Sequence, residues 1–105
     1  IIIMEKMYAG VAVNVNEEGY LTDFSQWSKE VAEDIAKEEN VSLTQRHWDL
    51  ISYLQGEHKK ESALSIRKVG KSGVVSIKEF YELFPTGPLK VSTRVAGIPK
   101  PASCI

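Results

Sequence analysis

Apolar and polar residues alternate with a two-residue period near the start of the chain. Between residues 8 and 15, Val11, Val13 and Val15 alternate with Ala12 and Asn14, a pattern typical of a half-buried strand. Residues 16–19 have turn composition and end in glycine, and residues 20–22 can form a short return strand. We therefore predict a β-hairpin over residues 8–22, which packs as a lid on the rest of the core because an isolated hairpin is marginal in water.

Beyond this hairpin the apolar residues recur every three to four positions, as in amphipathic helices. Five helices are predicted, over residues 28–39, 45–55, 63–69, 76–84 and 89–96. The second helix has the broadest apolar face, which indicates the central helix of the core. Hydroxyl side chains that can cap helix N-termini precede four of these segments: Ser28, Thr44, Ser62 and Ser76, the last forming a capping box with Glu79.

The third and fourth helices are joined by a glycine turn, the shape of a helix-turn-helix. Four basic residues give this pair a cationic character: Arg67, Lys68, Lys71 and Lys78. DNA binding is one hypothesis, although no run of base-reading residues stands out, and docking to a protein or to a tRNA-bearing complex is another. The expected fold is mostly α: a small orthogonal helical bundle with a helix-turn-helix-like pair, an N-terminal β-hairpin and a flexible C-terminal arm.

Length and composition favour one cytoplasmic domain. The 105 residues suit a single domain, divided into a hairpin (8–22), a helical body (23–96) and an arm (97–105). A net charge of −1 gives no overall attraction to nucleic acid or to an anionic membrane. The apolar residues 1–4 are far too few for a signal sequence or a membrane span. One cysteine cannot form an internal disulfide, which is typical of a reducing compartment.

The single cysteine, Cys104, is also the residue most suited to chemistry. It is the penultimate residue, and Pro99 and Pro101 upstream favour an extended, stiff spacer. From Gly97 to Cys104 an extended chain spans at most roughly 25 Å, enough to enter the active site of another protein. A thiolate here can attack a sulfur donor, hold the sulfur as a persulfide or form a mixed disulfide.

Two cations near the end of the chain are predicted to support this thiolate. Lys100 and Arg94 would lower the pKa of Cys104, whereas the α-carboxylate of Ile105 would raise it. No nucleotide motif, catalytic triad or metal-ligand set is recognisable elsewhere, so we predict no cofactor and no metal. His47 lies beside a tryptophan and is interpreted as a packing or surface residue rather than a catalytic one.

Five segments, in order along the chain, together resemble the DsrC/TusE family, which includes the gamma subunit of dissimilatory sulfite reductase and the sulfur-relay protein TusE. They are Gly19-Tyr20-Leu21, Ser25-Gln26-Trp27-Ser28, Leu43 to Trp48 (L-T-Q-R-H-W), Leu83 to Pro88 (L-F-P-T-G-P), and Ala96 to Pro101 (A-G-I-P-K-P) followed by Cys104. The segment between Tyr53 and Leu83 looks shorter than in the bacterial sulfur-relay members, which bears on the partners more than on the chemistry.

The resemblance implies that Cys104 carries sulfur between partner proteins. Members of the sulfite-reductase type have a second arm cysteine eleven residues before the penultimate one, and this chain has Thr93 there. A single cysteine resembles the TusE-like group, in which it accepts a persulfide from an upstream sulfur-transfer complex and passes it to a tRNA thiouridylase. The implied protein is a carrier more than an enzyme with its own turnover, and nucleic acid would meet it only through a partner. The alternatives are a gamma-subunit-type partner of sulfite reductase and, from another class, a helix-turn-helix regulator.

Overall fold

Helices dominate the computed structural model of the chain, which describes residues 4–61 and 64–99. Two antiparallel strands, β1 (Met4–Tyr8) and β2 (Val11–Val15), are followed by a 3-10 turn at Phe24–Gln26. The helices are α1 (Lys29–Glu38), α2 (Gln45–Lys59), α3 (Ile66–Lys71), α4 (Ile77–Leu83) and α5 (Pro88–Val95). The mostly helical fold with an N-terminal hairpin is therefore confirmed.

The hairpin is formed by a different pair of strands from the predicted pair. Ala9 and Gly10 both adopt positive φ (54° and 76°), so they make a tight two-residue turn in the middle of the sequence taken as one strand. Tyr8 consequently pairs with Val11, and Met4 pairs with Val15. The predicted return strand is reduced to one bridge between Val15 and Leu21. The predicted bounds of 8–22 were wrong because the turn at residues 9–10 precedes the more obvious one at Gly19.

Helix bounds agree with the sequence where capping residues set them. Ser28 and Ser76 cap α1 and α4 by accepting hydrogen bonds from the N–H groups of Val31 and Glu79. Helix α2 runs four residues past its predicted end because Gly56 is tolerated inside a helix at a cost of about 1 kcal/mol. Helix α3 begins after Ser65 and continues through Gly70 to Lys71. The predicted cap at Ser62 lies outside the described residues.

Helix α5, rather than α2, is the central helix. It packs on α1, α2 and α4, and Leu89 and Val95 are fully buried. The two hydroxyl residues Ser92 and Thr93 are also fully buried and donate hydrogen bonds to the carbonyl oxygen of Leu89 one turn earlier, at 3.3 and 2.7 Å. Their polar groups are satisfied within the helix, so α5 can be buried over most of its surface, with Lys90 exposed, despite an amphipathic-looking sequence.

Candidate functional site

The candidate site is the place where the C-terminal segment leaves the body, which we call the arm root and define as residues 95–98. Gly97 has a φ of +75° just after the end of α5, a conformation that favours glycine. The N–H of Ile98 donates to the carbonyl oxygen of Thr93 (3.2 Å), and the N–H of Gly97 donates to that of Arg94 (3.1 Å). These are the two hydrogen bonds of a Schellman motif, so the sequence A-G-I ends α5 in a defined direction.

Two side chains from other elements fix the arm root to the body. The indole N–H of Trp27 donates to the carbonyl oxygen of Val95 at 2.9 Å. The side-chain amide of Gln55, on α2, donates to the carbonyl oxygen of Ala96 at 2.8 Å. Carbonyl groups of the last helical turn have no partner within the helix, so both bonds satisfy groups that would otherwise face the core unpaired.

The Trp27 ring packs directly against Gly97. A Cβ atom at residue 97 would lie 2.3 Å from Cδ1 of that ring, which leaves no room for any other residue without movement. Trp27 also stacks on Phe24, with ring centroids 5.9 Å apart and planes at 7°. The 3-10 turn that carries Phe24 therefore supplies an aromatic wall against which the arm root is held.

Ile98 belongs to the packed body although the sequence placed it in the arm. Its side chain is 1 % exposed and lies in the hydrophobic core, whereas Pro99 is exposed. The arm thus leaves the body at Pro99, two residues later than the predicted start at Gly97. From Pro99 an extended chain reaches Cys104 over at most about 17 Å, a shorter span than the one estimated from Gly97.

The predicted nucleophile lies beyond this anchor. Cys104 and Lys100 are outside the described residues, so the predicted sulfur chemistry at Cys104 and the support from Lys100 stay predictions. No group of three or more His, Cys, Asp or Glu side chains within 4–61 and 64–99 is arranged to hold a metal ion. None of the described helices is long and apolar enough to cross a membrane.

Arg94, the other predicted supporting cation, is engaged with carboxylates. Its guanidinium group forms ion pairs with Glu38 and with Glu39 (2.7 Å) at the end of α1, and only 11 % of its side chain is exposed. It also donates to the carbonyl oxygen of Gly19 (3.2 Å) and to the hydroxyl of Tyr8 (3.2 Å). Support of Cys104 by Arg94 stays a prediction, but the positive charge is already balanced and the contacts give Arg94 a structural role.

This network joins the hairpin, α1 and α5 at one point. Glu38 also accepts hydrogen bonds from Lys6 (3.0 Å) and from the hydroxyl of Tyr8 (2.9 Å). Burial alone would raise the pKa of Glu38, but the hydrogen bonds from Lys6, Arg94 and Tyr8 outweigh burial and hold the pKa below its usual value. Burial alone would lower the pKa of Arg94, and its bonds to Glu38 and Glu39 raise it instead. Sequence analysis missed the network because its bonds join residues 30 to 86 positions apart.

The other two singled-out residues also serve the fold. Thr93 is fully buried in α5, so the position at which two-cysteine family members carry their second thiol lies inside the body here. The ring of His47 is 5 % exposed and caps α2: Nδ1 accepts from the backbone N–H of Thr44 (3.0 Å), and Nε2 lies 3.0 Å from the carbonyl oxygen of Leu83. The interpretation of His47 as a packing residue agrees with these contacts.

Comparison with known proteins places the chain in a family. Residues 7–105 match the DsrC like protein family. The chain is 37 % identical over 103 residues to the dissimilatory-type sulfite reductase subunit gamma of Nitratidesulfovibrio vulgaris, covering 96 % of this chain and 98 % of that protein. It is 34 % identical over 107 residues to the sulfurtransferase TusE of Escherichia coli, covering 94 % and 98 %.

Solved structures agree with the sequence matches. The NMR structure of Allochromatium vinosum DsrC superposes with a TM-score of 0.80 at 36 % identity, covering 99 % of this chain and all of that one. The same fold, a family match that includes Cys104 and near-complete coverage of relatives at more than 30 % identity lead to one assignment. The chain belongs to the DsrC/TusE family.

Proposed function

We propose that the protein is a sulfur-relay carrier in which Cys104 accepts sulfane sulfur as a persulfide and passes it to a partner enzyme. The observation that carries the proposal is the match of residues 7–105, a range that includes Cys104, to the DsrC like protein family. Relatives named sulfurtransferase and sulfite reductase subunit gamma support it. The anchored arm root supports it, since a fixed starting point defines where the thiol can be delivered. Lys100 would favour the thiolate.

The chemistry is two successive transfers of one sulfur atom without net oxidation. The Cys104 thiolate attacks the terminal sulfur of a donor persulfide; a new S–S bond forms, the donor's own S–S bond breaks, and the donor cysteine leaves as a thiolate. A cysteine thiolate of the acceptor then attacks the terminal sulfur on Cys104 in the same way, and the Cys104 thiolate is regenerated. Each step balances because one S–S bond is exchanged for another.

The acceptor we favour is a tRNA thiouridylase, with an upstream sulfur-transfer complex as the donor. The relative named sulfurtransferase TusE supports this choice. A single cysteine supports it too, because the second thiol position is the buried Thr93 and no disulfide can form within the arm. We place the relay in the cytoplasm, where a lone thiol stays reduced between cycles.

The test is intact-mass spectrometry after incubation with a cysteine desulfurase, cysteine and a sulfur-relay donor. The wild-type protein should gain the mass of one sulfur atom, and a reductant should remove it. The Cys104→Ser variant should gain nothing while keeping the same thermal unfolding curve. Failure of the wild-type protein to gain sulfur from any competent donor would refute the relay.

A second candidate is a partner of dissimilatory sulfite reductase, favoured by the relative with 37 % identity that is named as its gamma subunit. The two functions can be distinguished by immobilising the tagged protein on a column and identifying the proteins that it retains from cell extract. Retention of a tRNA-modifying enzyme from extract supports the first, and retention of sulfite reductase subunits supports the second.

A further inference from the structure

An open cleft between α2 and α3 lies outside the arm root and has no part in the relay described above. Its volume is about 430 Å³, within the range of about 300–1,000 Å³ for small-ligand sites. Six residues line it: Tyr53, Ser65, Arg67, Lys68, Lys71 and Ser72. Three of the six are cationic in a protein whose net charge is −1, so positive charge is concentrated here.

The charges in this cleft are only partly neutralised. The ammonium group of Lys68 forms an ion pair with Glu57 at 2.9 Å. Among the described residues, neither Arg67 nor Lys71 has a carboxylate within ion-pair distance, and the Tyr53 hydroxyl has no hydrogen-bond partner there. In contrast, Arg46 and Arg94 are both paired with glutamates. In the part of the chain that the structure describes, Arg67, Lys71 and the Tyr53 hydroxyl therefore remain open to a ligand.

The arrangement of these groups suits a phosphate-bearing strand. Arg67 and Lys71 are one helical turn apart on α3, with Cβ atoms about 5–6 Å apart, so both can reach one phosphate or two successive phosphates. Arg presents a planar fork of donors that matches phosphate oxygens. Tyr53 is half-buried against the core, so its ring is a fixed wall beside the cations and can pack on a base.

We propose that this cleft binds the sugar-phosphate backbone of RNA, with Arg67 and Lys71 on the phosphates and Tyr53 against a base. The inference rests on the proposed function, since an acceptor that thiolates tRNA brings RNA to the carrier. The hydroxyls of Ser65 and Ser72 are used within the protein, by the N–H of Lys68 and of Val74, so they shape the cleft rather than read the ligand.

The binding test uses the full chain with Cys104→Ser, so that no thiol chemistry interferes. Fluorescence anisotropy with a labelled single-stranded RNA of about eight nucleotides gives the affinity over a series of salt concentrations. The Arg67→Gln/Lys71→Gln variant should bind at least tenfold more weakly, and its slope of log affinity against log salt should fall by roughly 1.4. Tyr53→Leu should weaken binding without changing that slope.

The matched control removes two cations elsewhere. Lys37 and Lys90 are exposed, and within residues 4–61 and 64–99 the ion pair of Lys37 is a long contact to Asp34 at 3.9 Å. The Lys37→Gln/Lys90→Gln variant has the same net charge as the cleft variant and should bind RNA within about twofold of the parent. An equal loss in both variants, or no saturable binding at low salt, would overturn the proposal.

Competition separates RNA from other anions. Inorganic phosphate, AMP and a polyglutamate peptide should displace the RNA only at concentrations far above the RNA dissociation constant. Displacement by phosphate or AMP at comparable concentration would mean a small-phosphate site, and displacement by the peptide would mean a protein-docking surface; either overturns the RNA assignment.

Sulfur loading separates this inference from the proposed function. In a Cys104 background, the Arg67→Gln/Lys71→Gln variant should gain sulfur from the donor at the wild-type rate and pass it more slowly to a tRNA-bearing acceptor. If this variant loads sulfur and delivers it at the wild-type rate, the RNA-binding role of the cleft is refuted while the relay stands. If the wild-type protein does not load sulfur at all, the relay itself is refuted.

Discussion

The Gly97→Ala substitution tests whether the arm root is as tightly fixed as its contacts indicate. Two costs add at this position. A φ of +75° is unfavourable for alanine by about 1–2 kcal/mol. A Cβ atom 2.3 Å from the Trp27 ring must also displace the indole, which endangers its hydrogen bond to Val95, worth about 1 kcal/mol. Alanine also lowers the conformational entropy of the unfolded chain, and this offsets about 0.4–1 kcal/mol of the cost. The net expected loss is about 2 kcal/mol.

Gly73 provides a matched control, because it has a φ of +84° and nothing within 4 Å of the position of a Cβ atom. Gly73→Ala should therefore lose only the free energy that the positive φ costs alanine, which is about 1 kcal/mol after the unfolded-state contribution is subtracted. The difference between the two variants isolates the contact with Trp27. Urea unfolding followed by circular dichroism measures both free energies of unfolding.

The same contact should matter for sulfur transfer. Gly97→Ala should load sulfur on Cys104, because the thiol is unchanged, but should deliver it more slowly, because the arm begins from a displaced root. Equal free energies of unfolding for Gly97→Ala and Gly73→Ala would refute the idea that Trp27 fixes the arm root, whatever the delivery rate.

Two further predictions concern polar side-chain contacts between elements. The depressed pKa of Glu38 means that its ionised form stabilises the fold above the ordinary glutamate pKa of about 4.5, and that this stability is lost as the pH falls through the lower folded-state value. Glu38→Gln should thus be less stable than the wild type at pH 7, and the difference in free energy of unfolding should shrink as the pH falls below about 4.5; a difference that does not change with pH would contradict the network. His47→Ala leaves the Thr44 N–H and the Leu83 carbonyl without their partner and removes a ring packed edge-on against Phe84 (centroids 5.1 Å apart). A loss of about 2–4 kcal/mol in thermal or urea unfolding is expected, and a loss below about 1 kcal/mol would show that these groups find other partners.

Features set by local chemistry were predictable from the sequence. Ser28, Thr44 and Ser76 precede α1, α2 and α4 as predicted, because a cap depends on residues within three positions. The hairpin was misplaced because the turn at Ala9–Gly10 needs positive φ at an alanine, which no local preference suggests. The central position of α5 was also missed, because Ser92 and Thr93 look solvent-facing until their hydrogen bonds to the preceding turn are seen.

The candidate site likewise has a part that the sequence predicted and a part that depends on the fold. Cys104 was singled out from its position alone, and the family resemblance was confirmed. The anchor at the arm root was not predictable, because Trp27, Gln55 and Val95 come together only through the fold. The contacts of Arg94 likewise depend on residues up to 86 positions away. Long-range contacts of this kind leave no pattern in a single sequence.

Anchoring at Ile98 sets an effective concentration for the thiol. Whatever path residues 100–103 follow, Cys104 lies within about 17 Å of Pro99, because chain length limits the distance. Once the body has docked on an acceptor, one thiol confined to a hemisphere of that radius corresponds to a local concentration on the order of 0.1 M. Free protein at micromolar concentration would be roughly 10⁵-fold more dilute. Sulfur transfer should then depend on how long the two bodies stay together, and an acceptor cysteine well beyond this backbone reach of about 17 Å from the docked Pro99, extended by the Cys104 side chain and its persulfide, would receive nothing.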